Sequence, residues 1–251
     1  MAPSPWSWQA AWVELAAVAV LAVAYVLAAR RRPPSRARAA CFAAALVALV
    51  ALAVTPIATL ALHYLLAAHL VQNVALAEWI PLLAVAGIPP AIAAEIGRFR
   101  VVRLLTAPFV ALPLWLAGYA AWHVPQPYDA ALENHLLLHL EHLTYFVTGV
   151  LLWWCVVHAR PWGLTWGEKS AYVFAAFVFA SPLGLLLALL PSPLYDFYVA
   201  APELWGLTPL ADQQIAGIAM AVSESILFFA VFAYCFVRFM AEEDAAVDSL
   251  G

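Results

Sequence analysis

Three histidines of this chain have a spacing that could build a metal site. His135, His139 and His142 lie at positions i, i+4 and i+7 of an apolar stretch, so a helix would place their imidazoles on one face. A fourth histidine, His69, lies four residues before Asn73, and these two residues would share a face of another helix. Imidazole is a ligand for copper, zinc, iron and nickel. The spacing therefore predicts a metal or cofactor site between helices.

Other side chains could complete this site. Carboxylates and further imidazoles can serve as ligands, and a thioether is a soft ligand for Cu(I). The further candidates are His63, His123, Glu141, Asp212 and Met220. Two alternatives stay open, because a single histidine can simply form a hydrogen bond between helices and an aspartate can cap a helix N-terminus.

The composition defines the elements that must hold these residues. The chain has 251 residues, of which 67% are hydrophobic and 10% are charged, and its mean hydropathy is +0.91. About a quarter of the residues of a soluble domain are charged, so this composition excludes a water-soluble globular protein. We therefore predict an all-α, polytopic membrane protein, in which buried ionisable residues mark the functional site.

Hydropathy predicts one domain, a bundle of seven transmembrane helices over residues 1–251. A window of about 19 residues places the spans at about 9–29, 39–56, 58–79, 101–122, 134–158, 170–190 and 215–239. The path of residues 80–100 stays open, because the third span could continue past Pro81 as a helix or turn along the membrane surface.

The basic residues predict the orientation of this bundle. They are Arg30, Arg31, Arg32, Arg36, Arg38, Arg98, Arg100, Arg103, Arg160, Lys169 and Arg238. With seven spans, all eleven lie on one side, which the positive-inside rule assigns to the cytoplasm. The N terminus is then outside and the C terminus inside. This orientation places every histidine except His158 toward the outside.

Aromatic residues collect near the predicted ends of the spans. Tyr128, Tyr195 and Tyr198 lie in the outer segments, and we expect them to belong to the interfacial belt that is typical of helical membrane proteins.

Four segments, in order, resemble the CtaG family of bacterial cytochrome c oxidase assembly proteins, which is associated with caa-type oxidases. The segments are His69–Asn73 (HLVQN), Trp122–Pro125 (WHVP) followed by Tyr128–Leu132 (YDAAL), His139–His142 (HLEH) with Trp153 and Trp154, and Asp212–Gly217 (DQQIAG) with Met220. One departure is Asn73, at a position where the family has a histidine. His63 or His135 could replace that missing ligand.

The resemblance implies a role in maturing the copper-containing parts of a terminal oxidase. We expect a non-enzymatic assembly factor of the bacterial cytoplasmic (inner) membrane that holds Cu(I) or Cu(II) near the outer face and helps to insert it into an oxidase subunit. The site would include His69, His123, His139 and His142, with Glu141, Asp212 and Met220 as ligands or neighbours.

The partners implied are cytochrome c oxidase subunits and membrane lipid, and the sequence leaves a homo-oligomer open. No basic run suits nucleic acid beyond one short arginine cluster. Two alternatives stay open. One is a membrane haem protein or quinone oxidoreductase with two axial histidines, and the other is a copper or proton transporter that uses Glu14, Glu78 and Glu224.

Overall fold

The structure is a computed structural model that describes residues 2–248, and every regular element in that range is helical. This confirms the predicted all-α class. The helices are α1 (Trp12–Arg31), α2 (Arg36–Val54), α3 (Pro56–His63), α4 (Leu66–Val74), a π-helical turn (Ala75–Trp79), α5 (Ile80–Gly87), α6 (Pro90–Ile96), α7 (Arg100–Leu105), α8 (Pro108–Trp122), α9 (Pro125–Glu133), α10 (His135–Val157), α11 (Trp166–Leu189), α12 (Asp196–Ala200) and α13 (Pro209–Asp248).

Six helices within the described range are long and apolar enough to cross a membrane: α1, α2, the run from α4 to α5, α10, α11 and α13. The remaining predicted span, at 101–122, is divided into α7 and α8, which have 6 and 15 residues. A straight crossing needs about 20 residues, so α8 is short. The structure supports a multi-pass membrane protein, and seven spans with an outer N terminus stay a prediction.

The third span differs from the prediction. The sequence predicts a helix at 58–79, but the chain breaks at Tyr64 and Leu65, and the long helical run covers Leu66–Gly87. The carboxylate of Asp212 causes this new start, because it accepts hydrogen bonds from the backbone amides of Leu66 and Ala67, at 2.6 and 3.1 Å. A helix N-terminus has free amides that such an acceptor satisfies.

The π-helical turn carries this run past Pro81. A proline removes one backbone hydrogen bond and crowds the carbonyl four residues earlier, here that of Ala77. In the structure that carbonyl accepts a hydrogen bond from the indole of Trp115 at 3.1 Å, and the next carbonyl, of Glu78, accepts one from Trp153 at 2.9 Å. Two tryptophans from neighbouring helices thus satisfy the carbonyls at the irregular turn.

Small residues allow α13 to pack tightly against α11. A methyl group added at Gly217 would lie 2.5 Å from the carbonyl oxygen of Gly184 and 2.5 Å from the amide of Ala188. Helices in membranes commonly approach at such small residues. With 40 residues, α13 is about 60 Å long and extends beyond the predicted 215–239 at both ends.

The first helix lies at the edge of the bundle, and none of its residues is buried. Its main anchor is Tyr25, whose ring stacks on Phe42 of α2 at 3.9 Å and whose hydroxyl donates to the carbonyl of Gly87. In contrast, 67% of an 18-residue stretch within the run from α4 to α5 is buried, and 44% of such a stretch within α10. These two runs are the most buried of the long apolar helices in the described range.

Two short helices cover one end of this core. Asp129 of α9 accepts hydrogen bonds from the amides of Asp196 and Phe197 at the start of α12. The rings of Tyr128 and Tyr195 stack between the two helices at 3.9 Å. We call this end, formed by α9, α12 and the adjoining parts of α4 and α10, the covered end. In the predicted orientation it faces outward.

Candidate metal centre

Three potential ligands converge just beneath the covered end. One ligand atom each from His69 of α4 and from Glu141 and His142 of α10 lies within 4.8 Å of the other two. His69 Nε2 is 3.6 Å from Glu141 Oε1. His69 is 0% exposed, Glu141 is 1% exposed, and His142 is half-buried. We call these three residues the ligand cluster.

The helices explain why these three residues meet. Glu141 and His142 are adjacent in α10, so they point about 100° apart. Glu141 therefore faces α4, while His142 lies at the margin of the same contact. Asn73, one turn after His69, donates from Nδ2 to Glu141 Oε1 at 3.0 Å. In this chain Asn73 thus orients the carboxylate between the two helices.

The ligand cluster leaves much of its hydrogen-bonding capacity unused. Both ring nitrogens of His69, Oε2 of Glu141 and Nε2 of His142 are buried and have no hydrogen-bond partner in the described part of the chain. The 3.6 Å separation of His69 and Glu141 is also too long for a hydrogen bond. Buried polar atoms normally have hydrogen-bond partners, and a bound ion is one ordinary reason for exceptions. Two imidazoles and a carboxylate suit a transition-metal ion.

His123 lies beside the ligand cluster, where it interacts electrostatically with Glu141 and His69. Its Nδ1 is 2.7 Å from the carbonyl oxygen of Tyr119, which makes Nδ1 the protonated nitrogen. Nε2 then carries the free lone pair, and it has no partner among the described residues. Burial lowers the pKa of His123 to about 4. Its imidazole is therefore neutral at pH 7, and the lone pair of Nε2 can bind a metal ion.

Tyrosines enclose these histidines. The ring of His69 lies 5.3 Å from that of Tyr128 and 6.4 Å from that of Tyr198. The hydroxyl of Tyr195 donates to the carbonyl of His123 at 3.0 Å, and that of Tyr198 donates to Ala61 at 2.6 Å. At most 5% of each of these tyrosines is exposed. The expectation that they form an interfacial belt is therefore wrong, because their rings close the candidate site.

Other predicted ligands lie apart from the ligand cluster. His139 pairs with Glu14 of α1, with Nδ1 and Oε1 at 3.0 Å. His63 interacts with His135, which is exposed. These three histidines are therefore not part of the ligand cluster.

Asp212, on α13, also lies outside the ligand cluster. Asp212 uses its two oxygens on the start of α4, three residues before His69. It therefore positions a candidate ligand through the backbone and caps α4 instead of its own helix. Met220 is buried in the core, where it is 1% exposed.

A second buried polar group lies among α8, α13 and the π-helical turn. Glu78 is 0% exposed, interacts electrostatically with Glu224, and has no hydrogen-bond partner for either carboxylate oxygen within residues 2–248. The hydroxyl of Tyr119 donates to Glu224. We call Glu78 and Glu224 the acidic pair. Tyr119 links it to His123 beside the ligand cluster, because the carbonyl of Tyr119 accepts from His123.

Sequence reasoning missed the structural roles of Asn73, the tyrosines and Tyr119. The signal for the tyrosines was the short segment 128–132, which lies beside His123 in the chain. A role for Asn73 could have been inferred from its spacing to His69, because residues four apart on a helix lie on one face and can contact the same neighbouring side chain.

Comparison with protein families matches residues 10–242 to the family described as cytochrome c oxidase caa3 assembly factor (Caa3_CtaG). No curated protein and no solved structure matches the chain significantly.

Proposed function

We propose that this protein binds copper at the ligand cluster and helps to insert it into an oxidase subunit. The chain belongs to the cytochrome c oxidase caa3 assembly factor family. The family match covers nearly the whole chain and indicates the assembly role itself. Copper binding and its insertion are our proposal. The protein would act by holding and passing an ion, without catalysing a reaction.

One observation carries this proposal: two imidazoles and a carboxylate converge within 4.8 Å, and four of their nitrogen and oxygen atoms are buried without a hydrogen-bond partner in the described residues. Such a set is costly in a membrane interior unless a further group satisfies it. Imidazole is a common copper ligand. The free Nε2 of His123 is the neighbouring group that could join the set, while Asn73 keeps Glu141 in place.

The site also explains how the protein would suit its surroundings. In the predicted orientation, with seven spans and the N terminus outside, the ligand cluster lies near the outer face of the bacterial cytoplasmic membrane. The partner would be an oxidase subunit that receives copper on that side. The covering tyrosines would keep water and competing ligands from the ion until transfer.

A bis-histidine haem fits the same residues poorly. The rings of His69 and His142 are 6.3 Å apart, but Glu141 lies 3.6 Å from His69 and Tyr128 packs 5.3 Å from the same ring. These side chains fill the space that a macrocycle between the two imidazoles would need. The geometry favours a small ion.

Copper analysis of the purified protein tests the proposal. We expect the parent protein, loaded with Cu(I) and washed, to retain one ion per ligand cluster. His69→Ala and His142→Ala should each lose it, because each removes one of three converging ligands. His135→Ala is the matched control, since this histidine is exposed and should leave the copper content unchanged.

A parent protein that holds no copper would overturn the assignment, as would His69→Ala and His142→Ala variants that hold as much as the parent. An absorption spectrum of the same samples checks the haem alternative, which predicts a Soret band.

A further inference from the structure

A cavity opens beside the ligand cluster, between α1, α2, α4 and α10. Its volume is about 610 Å³, and its wall is almost entirely apolar. Four polar residues line it: Glu14, Gln72, His139 and His142. These four residues are the polar exceptions in an apolar wall, and they lie next to the candidate metal site. We therefore consider whether they bind a metal ion on its way to that site.

The cavity is the side from which the ligand cluster can be reached. His69 and Glu141 are at most 1% exposed, and the tyrosines Tyr128 and Tyr198 cover them. His142 is half-buried and is the member of the cluster that lines the cavity. Two atoms without hydrogen-bond partners in the described chain, Nε2 of His142 and Oε1 of Gln72, belong to residues of this wall.

Glu14 and His139 form a second pair of potential ligands in the same cavity. Glu14 Oε1 and His139 Nδ1 are 3.0 Å apart, a separation that two ligands of one ion can have when each binds at about 2.0 to 2.2 Å. About a third of each side chain is exposed. His139 is also one turn before His142, about 4.5 Å along the axis of α10, so an ion at the pair is one step from the ligand cluster.

The helix that carries Glu14 could accommodate such a step. None of the residues of α1 is buried, whereas α4 and α10 form the core. A small displacement of α1 would therefore change the position of Glu14 without disturbing the cluster. Among the described residues of the wall, Gln72 is the one other polar side chain beside Glu14, His139 and His142.

We infer that Glu14 and His139 form a transit site for copper, which passes the ion between the cavity and the ligand cluster through His142. Copper would replace the proton shared by the pair, and that proton would leave to solvent. The inference rests on the proposed copper binding and adds a route and a further ligand, Glu14. It also places the route at the side of the bundle, between helices, and not through the tyrosines of the covered end.

A transit ligand and a simple latch predict opposite effects. If the ion pair only held α1 closed over the cavity, removing it would open the cavity and speed both the uptake and the release of copper. If the pair carries the ion, removing either partner slows both steps. The direction of the change in rate therefore distinguishes the two roles.

Stopped-flow measurement of copper exchange provides the test. The full-length protein, in lipid nanodiscs, is loaded with Cu(I) and mixed with an excess of a chelator that becomes coloured on binding Cu(I). We expect Glu14→Gln and His139→Gln to slow release by roughly tenfold, the lower end of the change that follows the loss of a group next to a metal site. The amount of copper bound at equilibrium should stay close to that of the parent.

Two further variants complete the design. Glu14→Asp keeps a carboxylate and should recover most of the parental rate. Glu95→Gln removes a carboxylate from an exposed ion pair with Arg32, at 3.5 Å, and should leave the rate unchanged. Faster release, or an unchanged rate, in Glu14→Gln would overturn the transit site while leaving the copper site standing. A parent without copper would overturn both proposals.

Discussion

Two buried polar groups lie within the same bundle, and they are built from different chemistry. The ligand cluster combines two imidazoles with a carboxylate, and the acidic pair combines two carboxylates with a tyrosine hydroxyl. His69, Glu141, Glu78 and Glu224 are each at most 1% exposed, and both groups retain oxygen or nitrogen atoms without a partner in the described residues. Burial alone therefore does not distinguish them.

The difference lies in how each group can be neutralised. In the ligand cluster, neutral imidazole nitrogens and a negative carboxylate can bind the same cation, because neither kind of ligand repels it. In the acidic pair, two like charges repel each other in a medium of low dielectric constant, so such pairs commonly share a proton. Under the proposed function, the mixed ligands would hold a metal ion, while the paired acids would hold a proton. Tyr119 contacts both the acidic pair and His123, the histidine beside the ligand cluster.

The largest expected effect is on copper affinity. Glu141→Gln should weaken Cu(I) binding by at least about 10–100-fold, the range that results from disturbing even the surroundings of a metal site. Glu78→Gln should leave the affinity unchanged, because Glu78 lies in the other group. Competition titration with a Cu(I) chelator measures both. Equal losses in the two variants would show that the acidic pair also binds the metal.

A smaller effect is expected on stability within the acidic pair. Tyr119→Phe removes the buried donor to Glu224 and should lower the free energy of unfolding by about 1.7 kcal/mol, the upper value for hydrogen bonds between membrane helices. Unfolding in mixed micelles measures it. In a Glu224→Leu background the same change should cost less, because the acceptor is gone. An undiminished cost there would mean that Tyr119 acts through packing alone.

The smallest effect concerns pH and a histidine far from both groups. His158 follows α10 at the other end of the bundle, where burial lowers its pKa to about 4. Because an unfolded histidine has a pKa of about 6.5, the stability from neutral His158 is complete above pH 6.5. It is lost as the pH falls toward 4, and the loss should be about 1 kcal/mol at pH 6.

Unfolding measured at pH 7.5 and pH 6 tests this prediction. His158→Gln should show a smaller difference between the two pH values than the parent protein. His135→Gln, at an exposed position, should keep the parental difference. A His158→Gln variant with an unchanged pH dependence would assign the effect to other groups.

Much of the fold follows from local properties of the chain. Long apolar stretches must form helices in a membrane, because the backbone has no other way to satisfy its hydrogen bonds there. The scarcity of charge and the helical spacing of His69 with Asn73 could therefore be interpreted directly. The break at Tyr64 and Leu65 could not, since it depends on the carboxylate of Asp212, which lies 146 residues from Leu66 in the chain.

The candidate site shows the same division. Three of the four histidines with helical spacing looked equivalent in the sequence, but the structure places His142 in the ligand cluster, pairs His139 with Glu14 and leaves His135 exposed. Helical periodicity specifies which residues share a face of one helix, and it carries no information about which neighbouring helix that face meets.

By itself, the sequence determined that the protein is helical, that it belongs in a membrane, and which residue types could bind a metal, because these properties depend on composition and on spacing within one segment. Only the tertiary structure decided which of those residues meet. Asn73 faces Glu141, Tyr128 covers His69 and Glu14 reaches His139 because separate helices cross at particular positions, and their crossing is set by packing across the whole bundle.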